Sequence, residues 1–376
     1  MNTERTLISS RFAFAQFCVA VRRKATLALP LVLCTLGRAP LGNAQDARIV
    51  SFDVSGAGAA SGQGTVPEDI GPTGEITGHY VDAGGMWHGF LRAANGSITT
   101  FDPPGSTGTA AVGLTPSGEI TGDYTDGSYL NHGFLRTSSG AITTFDAPGG
   151  GTSAYQGTYV DSINPSRAIA GSYYDDNWVS HGFLRTSGGD FTTFDAPGSA
   201  STFVAFPSGL NPLGAIAGYW SDASNVYHGY LRASDGTIAT FDAAGAGTGA
   251  GQGTWSSSIN PRGEILGYYV DESNVGHGFL RGSDGSITTY NVPGAGTAAG
   301  QGTYTADLNA FGVIAGEYAD VNNAWHGYLG KPGSFTTFDV PGDAQGTFPQ
   351  ANTSWGAVTG AYADANGVSH GFLRIP

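Results

Sequence analysis

From residue 48 onward the apolar residues come in short runs. Each run is four to eight residues long, rich in Ile, Val, Thr, Tyr and Phe, and bounded by Asn-Pro, Asp-Gly or Pro-Gly pairs. That is the pattern of β-strands joined by tight turns. No segment keeps a 3.6-residue apolar period long enough for a helix. One stretch displays the whole pattern. Ser257-Ser258-Ile259-Asn260 leads into the turn Pro261-Arg262-Gly263, then residues 264–271 and a polar loop. His277-Gly278-Phe279-Leu280-Arg281 follows, then the turn at residues 282–285 and a last run over 286–294. The pattern predicts four strands, a to d, in an antiparallel meander. The c–d turns Asn95-Gly96, Ser139-Gly140, Asp235-Gly236 and Asp284-Gly285 are hairpin signals. The d-to-a link is longer and glycine-rich, as in residues 245–254.

This unit returns seven times. Its most regular part is Asp, five residues, then His-Gly-(Phe or Tyr)-Leu. The pairs are Asp82/His88, Asp126/His132, Asp175/His181, Asp222/His228, Asp271/His277, Asp320/His326 and Asp364/His370. Successive His residues are 44, 49, 47, 49, 49 and 44 positions apart, a period that signifies a repeat architecture. A parallel β-helix needs no hairpins, whereas a β-propeller is built from them. The ends of the chain point the same way. A lone d strand covers residues 49–53, and the chain stops after a c strand at residues 370–374. The expected fold is all-β: a seven-bladed β-propeller of four-stranded antiparallel blades. The N-terminal strand joins the C-terminal blade, closes the ring and leaves no free inter-blade edge. Residues 46–376 are expected to form this single domain, as a monomer. Blade-to-blade packing would bury both sides of the strands in part. The 61 glycines of 376 residues suit close packing and tight turns.

Charge and the N-terminus add an address. Residues 1–45 hold six basic residues and one acid, Glu4; the remainder holds 10 basic and 29 acidic residues, with Lys331 its only lysine. So acidic a surface repels nucleic acid and anionic lipid, and accepts cations and neutral polymers. Arg22-Arg23-Lys24, the apolar residues 25–36 and the small residues up to Ala44 read as a secretory signal peptide, cleaved near Ala44. Its apolar run is too short to span a membrane and contains Pro30. The stretch before Val21 is long for such a leader, so Val21 is the expected translation start. Both cysteines, Cys18 and Cys34, fall in the leader, leaving the mature chain without thiol or disulfide chemistry.

The run Gly122-Asp123-Tyr124-Thr125-Asp126, then His132 to Arg136, then Thr143-Thr144-Phe145-Asp146-Ala147-Pro148-Gly149 resembles the extracellular repeat known as the HAF family. The resemblance covers nearly all of residues 48–376. The family often has Ala as the second residue of the His motif; every copy here has Gly. The resemblance implies a secreted or envelope protein of a bacterium, and it implies no chemistry.

Residues copied seven times are expected to build seven units rather than one site. Each Asp/His pair sits at the ends of a b–c hairpin and should pin that loop by hydrogen bonding, fixing the His tautomer. A second repeated set is the Arg of His-Gly-Phe-Leu-Arg (Arg92, Arg136, Arg185, Arg232, Arg281, Arg374) and the Asp of Phe-Asp (Asp53, Asp102, Asp146, Asp195, Asp242, Asp339). Hairpin register about Asn95 places Asp102 near His88, which leaves Arg92 for a neighbouring blade. Function is sought where copies differ. The residue before each His is Trp87, Asn131, Ser180, Tyr227, Gly276, Trp325 or Ser369. Trp87, Tyr227 and Trp325, with Trp178 in a b–c loop, are the candidate sugar-stacking residues. His79 is the only His outside the repeat and is expected to be an exposed strand residue. No nucleophile elbow, zinc-binding motif or phosphate loop occurs, and no cofactor is implied. The loops Asp271-Glu272-Ser273-Asn274 and Asp320-Val321-Asn322-Asn323 carry oxygen ligands for Ca²⁺ but lack an EF-hand's Glu and Gly. The expectation is an exported binding or scaffold module for extracellular polysaccharide or an envelope protein. The alternative is a carbohydrate-active enzyme, a glycoside hydrolase or lyase, with acidic residues at the ring axis.

Overall fold

The strand-and-turn pattern materialises as strands alone. A computed structural model describes residues 47–376, and no helix occurs among them. The expected signal peptide, with Cys18 and Cys34, lies outside the described residues. The first strand, β1 (Arg48–Phe52), stands apart from its chain neighbours. Unit one is β2 (Gly64–Ile70), β3 (Ile76–Val81), β4 (Trp87–Arg92) and β5 (Ile98–Phe101). Unit two is β6 (Gly108–Leu114), β7 (Ile120–Thr125), β8 (Asn131–Arg136) and β9 (Ile142–Phe145). Unit three is β10 (Gly157–Ile163), β11 (Ile169–Tyr174), β12 (Ser180–Arg185) and β13 (Phe191–Phe194). Unit four is β14 (Ser201–Val204), β15 (Ile216–Ser221), β16 (Tyr227–Arg232) and β17 (Ile238–Phe241). Unit five is β18 (Gly253–Ile259), β19 (Ile265–Val270), β20 (Gly276–Arg281) and β21 (Ile287–Tyr290). Unit six is β22 (Gly302–Leu308), β23 (Ile314–Ala319), β24 (Trp325–Lys331) and β25 (Ser334–Phe338). The last unit has β26 (Gly346–Asn352), β27 (Val358–Ala363) and β28 (Ser369–Ile375).

Within each unit consecutive strands pair antiparallel. The last unit takes its fourth strand from the N-terminus: β1 pairs antiparallel with β28, from Arg48 opposite Ile375 to Phe52 opposite Gly371. Units two and three, four and five, and five and six touch through a short parallel bridge: Asn131 to Gly157, Tyr227 to Gly253 and Gly276 to Gly302. Gly64 makes the equivalent bridge to Ser369, between unit one and the last unit.

Three sets of interactions fasten unit to unit. Apolar clusters straddle the seams. Phe134, Ile120 and Ala111 of unit two pack with Leu91 and Phe101 of unit one. Fully burying one such ring contributes about 1.5–3 kcal/mol. Each c-strand Arg lies over an aromatic ring of the preceding unit: Arg92 over Phe52 at 4.9 Å, Arg136 over Phe101 at 4.8 Å, Arg374 over Phe338 at 5.1 Å. In the third set, an asparagine ladder links the a–b turns. Asn164, Asn211 and Asn260 each donate from Nδ2 to the carbonyl of the next unit's Asn, and Asn309 donates to Thr353. Unit one has Gly71-Pro72 there, and Trp355 Nε1 of the last unit donates to the Pro72 carbonyl instead.

The first strand of each unit begins earlier than the apolar run suggested. β18 starts at Gly253, inside the glycine-rich link. The Thr after that glycine explains it. Thr254 is buried, and its hydroxyl accepts the Ala243 N–H from the end of unit four. Val54/Thr65, Ala147/Thr158, Ala196/Thr202, Val292/Thr303 and Val340/Thr347 repeat the contact. Between units one and two Pro103 has no N–H to offer, and the buried Thr109 hydroxyl has no partner. The outermost strands differ from expectation too. Their middle threonines, as in Ile142–Phe145, are exposed, because no layer covers that edge.

Two outcomes are expected. Thr158→Val leaves the buried Ala147 N–H unpaired and should cost about 1–3 kcal/mol in urea unfolding, whereas Thr109→Val removes a hydroxyl already orphaned and should be neutral or stabilising; equal costs would contradict the seam. Deleting residues 47–54 exposes the whole edge of β28 and should lower the melting temperature sharply; an unchanged melt would contradict the β1–β28 pairing.

Candidate functional site: a cavity shared by all seven units

The repeated polar residues form seven like clusters away from any shared site. In unit one His88 Nδ1 lies 2.8 Å from Asp102 and Nε2 lies 3.5 Å from Asp82. Tyr80 stacks on the imidazole at 4.9 Å. The same arrangement holds His132 by Asp146 and Asp126, His181 by Asp195 and Asp175, His326 by Asp339 and Asp320, and His370 by Asp53 and Asp364. His228 meets Asp242 at 2.9 Å and stacks on Trp220. His277 has Asn291 in place of one Asp and keeps Asp271 at 3.3 Å. The Arg and Asp of the second repeated set thus diverge, the Asp to its own unit's His and the Arg to the preceding unit's ring. The first Asp also shapes the b–c turn. Asp82 accepts the Gly84 and Met86 N–H groups, and the Met86 bond above all holds its carboxyl below the usual range. Gly89 is required beside His88: a Cβ there would lie 2.8 Å from the Phe101 ring. Asp222 caps its turn through Ser224 and Val226 in the same way.

The residues that vary converge elsewhere. A cavity of about 320 Å³ is lined by every one of the seven units. The first strand of six units carries a β-bulge, between Pro67 and Asp69, Ala111 and Gly113, Val160 and Ser162, Ser256 and Ser258, Thr305 and Asp307, and Pro349 and Ala351. The extra residue of each bulge, Glu68, Val112, Asp161, Ser257, Ala306 or Gln350, lines the cavity. A bulge re-aims one side chain without ending the sheet, and here it does so six times toward one space. Unit four has no bulge but a longer excursion after Val204, in which Phe206 and Pro207 enter the cavity. Pro207 also borders a second space of about 280 Å³ at the a–b turn end.

The second ring of lining residues comes from the b strands, at the position between Gly and Tyr or Trp. His79, Asp123, Ser172, Tyr219, Tyr268 and Glu317 all face the cavity. His79 is 3% exposed, which overturns the expectation of an exposed residue. It stacks on Trp87 at 4.0 Å, and its Nδ1 is 3.2 Å from Glu68 without hydrogen-bond geometry. Aromatics gather on the side of units three to five: Tyr159, Phe203 stacked on Tyr219 at 5.1 Å, and Trp255 stacked on Tyr268 at 5.3 Å. Carboxylates occupy the rest. Asp161 accepts from Ser172 at 3.2 Å, and Asp123 from the Val160 N–H at 3.2 Å.

Of the candidate stacking residues, the structure brings three to this region. Trp87 lines the cavity, Tyr227 packs on Trp255 at 4.6 Å, and Trp325 lies 5.4 Å from Tyr304. Trp178 is outside, on the b–c turn of unit three, with its ring 6.0 Å from Tyr174 at the cavity wall. The loops considered for Ca²⁺ use their carboxylates internally: Asp271 accepts from the Ser273 and Val275 N–H groups, and Asp320 from those of Asn322 and Ala324. No group of three or more metal-ligating side chains occurs among the described residues, nor does a helix long and apolar enough to cross a membrane.

No family model matches the chain, and no curated protein matches it. Solved structures do. A streptogramin B lyase is 14% identical, with 88% of this chain and 98% of that one covered, at a TM-score of 0.56. The lectin BP39L from Burkholderia pseudomallei is 11% identical, with 82% and 94% covered and a TM-score of 0.54. A prolyl endopeptidase is 11% identical, with 83% of this chain and 50% of that one covered, at 0.57. These likenesses establish a propeller-like fold.

Burial pushes the Glu317 carboxyl from its ordinary 4.5 up to about 8. Such a carboxyl supports the folded state below its unfolded pKa and withdraws that support as pH rises to the folded value. Glu317 should therefore make the protein less stable at pH 8 than at pH 5. Asp69, pushed up to about 7 by burial, acts in the same direction. In Glu317→Gln the Asp69 contribution remains and the Glu317 contribution vanishes. The stability of the variant relative to the parent should rise across this range in urea titrations at each pH; a constant difference would mean that Glu317 is not held protonated.

Proposed function

We propose that this chain is an exported bacterial protein of the HAF repeat type, a closed seven-bladed propeller that binds a ligand in its shared cavity. Residues 1–45 serve as its signal peptide, and the acidic mature chain works outside the cytoplasm on a neutral or cationic partner. One observation carries the binding reading. The units keep the same framework residues and differ where they face the cavity. Framework positions repeat His, Gly, Tyr and Asp; cavity positions run through His79, Asp123, Ser172, Tyr219, Tyr268 and Glu317. Repetition suits packing, and a ring of unlike side chains around one space suits recognition of one asymmetric ligand.

The ligand class we favour is a sugar, free or at the end of an extracellular polysaccharide. Phe203, Trp255 and Tyr219 line the cavity with apolar ring surface, and the carboxylates accept hydroxyl hydrogens. At about 320 Å³ the cavity is small for a ligand site, whose usual range is roughly 300–1,000 Å³. The rim extends it. Trp178 is 42% exposed and holds φ at 64°, and Tyr129 is likewise exposed with φ at 64°. Other units place Gly85, Asn225, Asn274, Asn323 or Gly367 at that turn position. A bulky residue in the left-handed region is strained, and strain of this kind gathers at ligand contacts. A second reading, a carbohydrate-active enzyme, draws on Glu317: a carboxyl protonated at neutral pH can act as a general acid.

Trp178→Asn separates these roles. It should stabilise the fold by up to about 1 kcal/mol through relief of strain and weaken retention on the polysaccharide that raises the melting temperature of the parent in a screen with and without Ca²⁺. New reducing ends in that screen would establish the enzyme. No shift with any saccharide, and no loss in the variant, would overturn the sugar-binding reading.

A further inference from the structure

We infer that the cavity takes an organic ammonium group carried on an amino sugar, with Glu317 as its counter-charge and Tyr219, Trp255 and Tyr268 among its walls. The inference rests on the binding reading above and deepens it.

The charge of the lining is lopsided. Glu68, Asp123, Asp161 and Glu317 face the space, together with His79, and neither Lys nor Arg lines it among the described residues. A cavity for a neutral sugar has no need of that imbalance. Glu317 itself is the sharper observation. It is 4% exposed, lines the cavity, and has no hydrogen-bond or ion-pair partner among the described residues. The fold does not treat its other buried acids so. Asp69 accepts the Ile70 and Leu114 N–H groups, and Asp307 accepts from Ser258 Oγ and the Asn352 N–H. A buried carboxyl without partners costs stability, and one aimed at an otherwise acidic space is completed by a donor from outside.

Its surroundings specify the donor. Glu317 stands opposite Tyr304 on β22 and Gly327 on β24. Tyr304 in turn meets Tyr268 edge-on at 5.3 Å, and Tyr268 stacks on Trp255. A buried carboxyl without a partner, in an acidic and water-poor space walled by aromatic side chains, is an environment that holds an ammonium ion. Burial favours the protonated form of Glu317, and an arriving cation favours its charged form. An amino sugar fits better than a lysine side chain: its hydroxyls offer donors to Asp123 and Asp161, which an alkyl chain lacks.

The test uses the intrinsic fluorescence of the lining Trp87 and Trp255, with calorimetry, on the full mature chain. Glucosamine, glucose, N-acetylglucosamine and Nα-acetyl-lysine amide are the probes. Glucosamine is expected to bind about tenfold or more tightly than glucose or N-acetylglucosamine, and Glu317→Gln to abolish that preference. Should the variant fail to fold, the glucosamine-to-glucose ratio in the unaltered protein still decides, with Trp255→Leu as the second variant. Equal binding of glucosamine and glucose would overturn the ammonium inference and leave the sugar-binding reading standing. Tighter binding of the lysine amide than of glucosamine would overturn the sugar carrier. Binding of none of the four would overturn the inference, and the polysaccharide screen above separately decides the wider reading.

Discussion

A four-stranded sheet of this length cannot bury its own faces, and the whole architecture follows from that shortage. Each unit completes itself with surface from the next. Arg92 lays its guanidinium on Phe52 of the preceding unit, Thr254 receives an N–H from the end of unit four, and Asn211 donates to unit five. A unit that must be completed by its neighbour on each side has no natural place to stop. Here the N-terminal β1 answers that requirement by serving as the outer strand beside β28.

This division of labour also frees the inner positions. Because the seams and the His clusters do the fastening, residues on the first and second strands need only avoid clashes. The lining can therefore combine His79, Glu68, Trp255 and Glu317 in one space without disturbing the packing between units. Even an excursion as large as the one carrying Phe206 and Pro207 is absorbed, since Leu210 rejoins the pattern opposite Ile216.

Much of the fold was legible because its signals are local. Asn95-Gly96 announces a hairpin, and Gly96 takes φ of 91°. The Asp82-to-His88 spacing announces a turn, and Asp82 caps it. Strand phase at the two ends pointed to the partnership of β1 with β28. The site was less legible. The six bulges carry no residue of their own kind: Glu68, Val112, Asp161, Ser257, Ala306 and Gln350 share nothing but position, and only register with the neighbouring strand reveals them. His79 looked like a surface residue because a lone strand does not say which face another unit will cover. A signal was nevertheless present. The position between Gly and Tyr or Trp varies from His to Asp, Ser, Tyr and Glu inside an otherwise constant motif, and variation flanked by constancy is where the cavity lies.

The contact between His370 and Asp53 spans 317 residues of chain. Synthesis delivers β1 long before its partner β28. During that interval an apolar strand, Ile49-Val50-Ser51-Phe52, waits with its backbone unpaired, and unpaired edges invite other chains. Completion is therefore all-or-none: a chain interrupted before β28 keeps most of its units but never pairs the edge of β1.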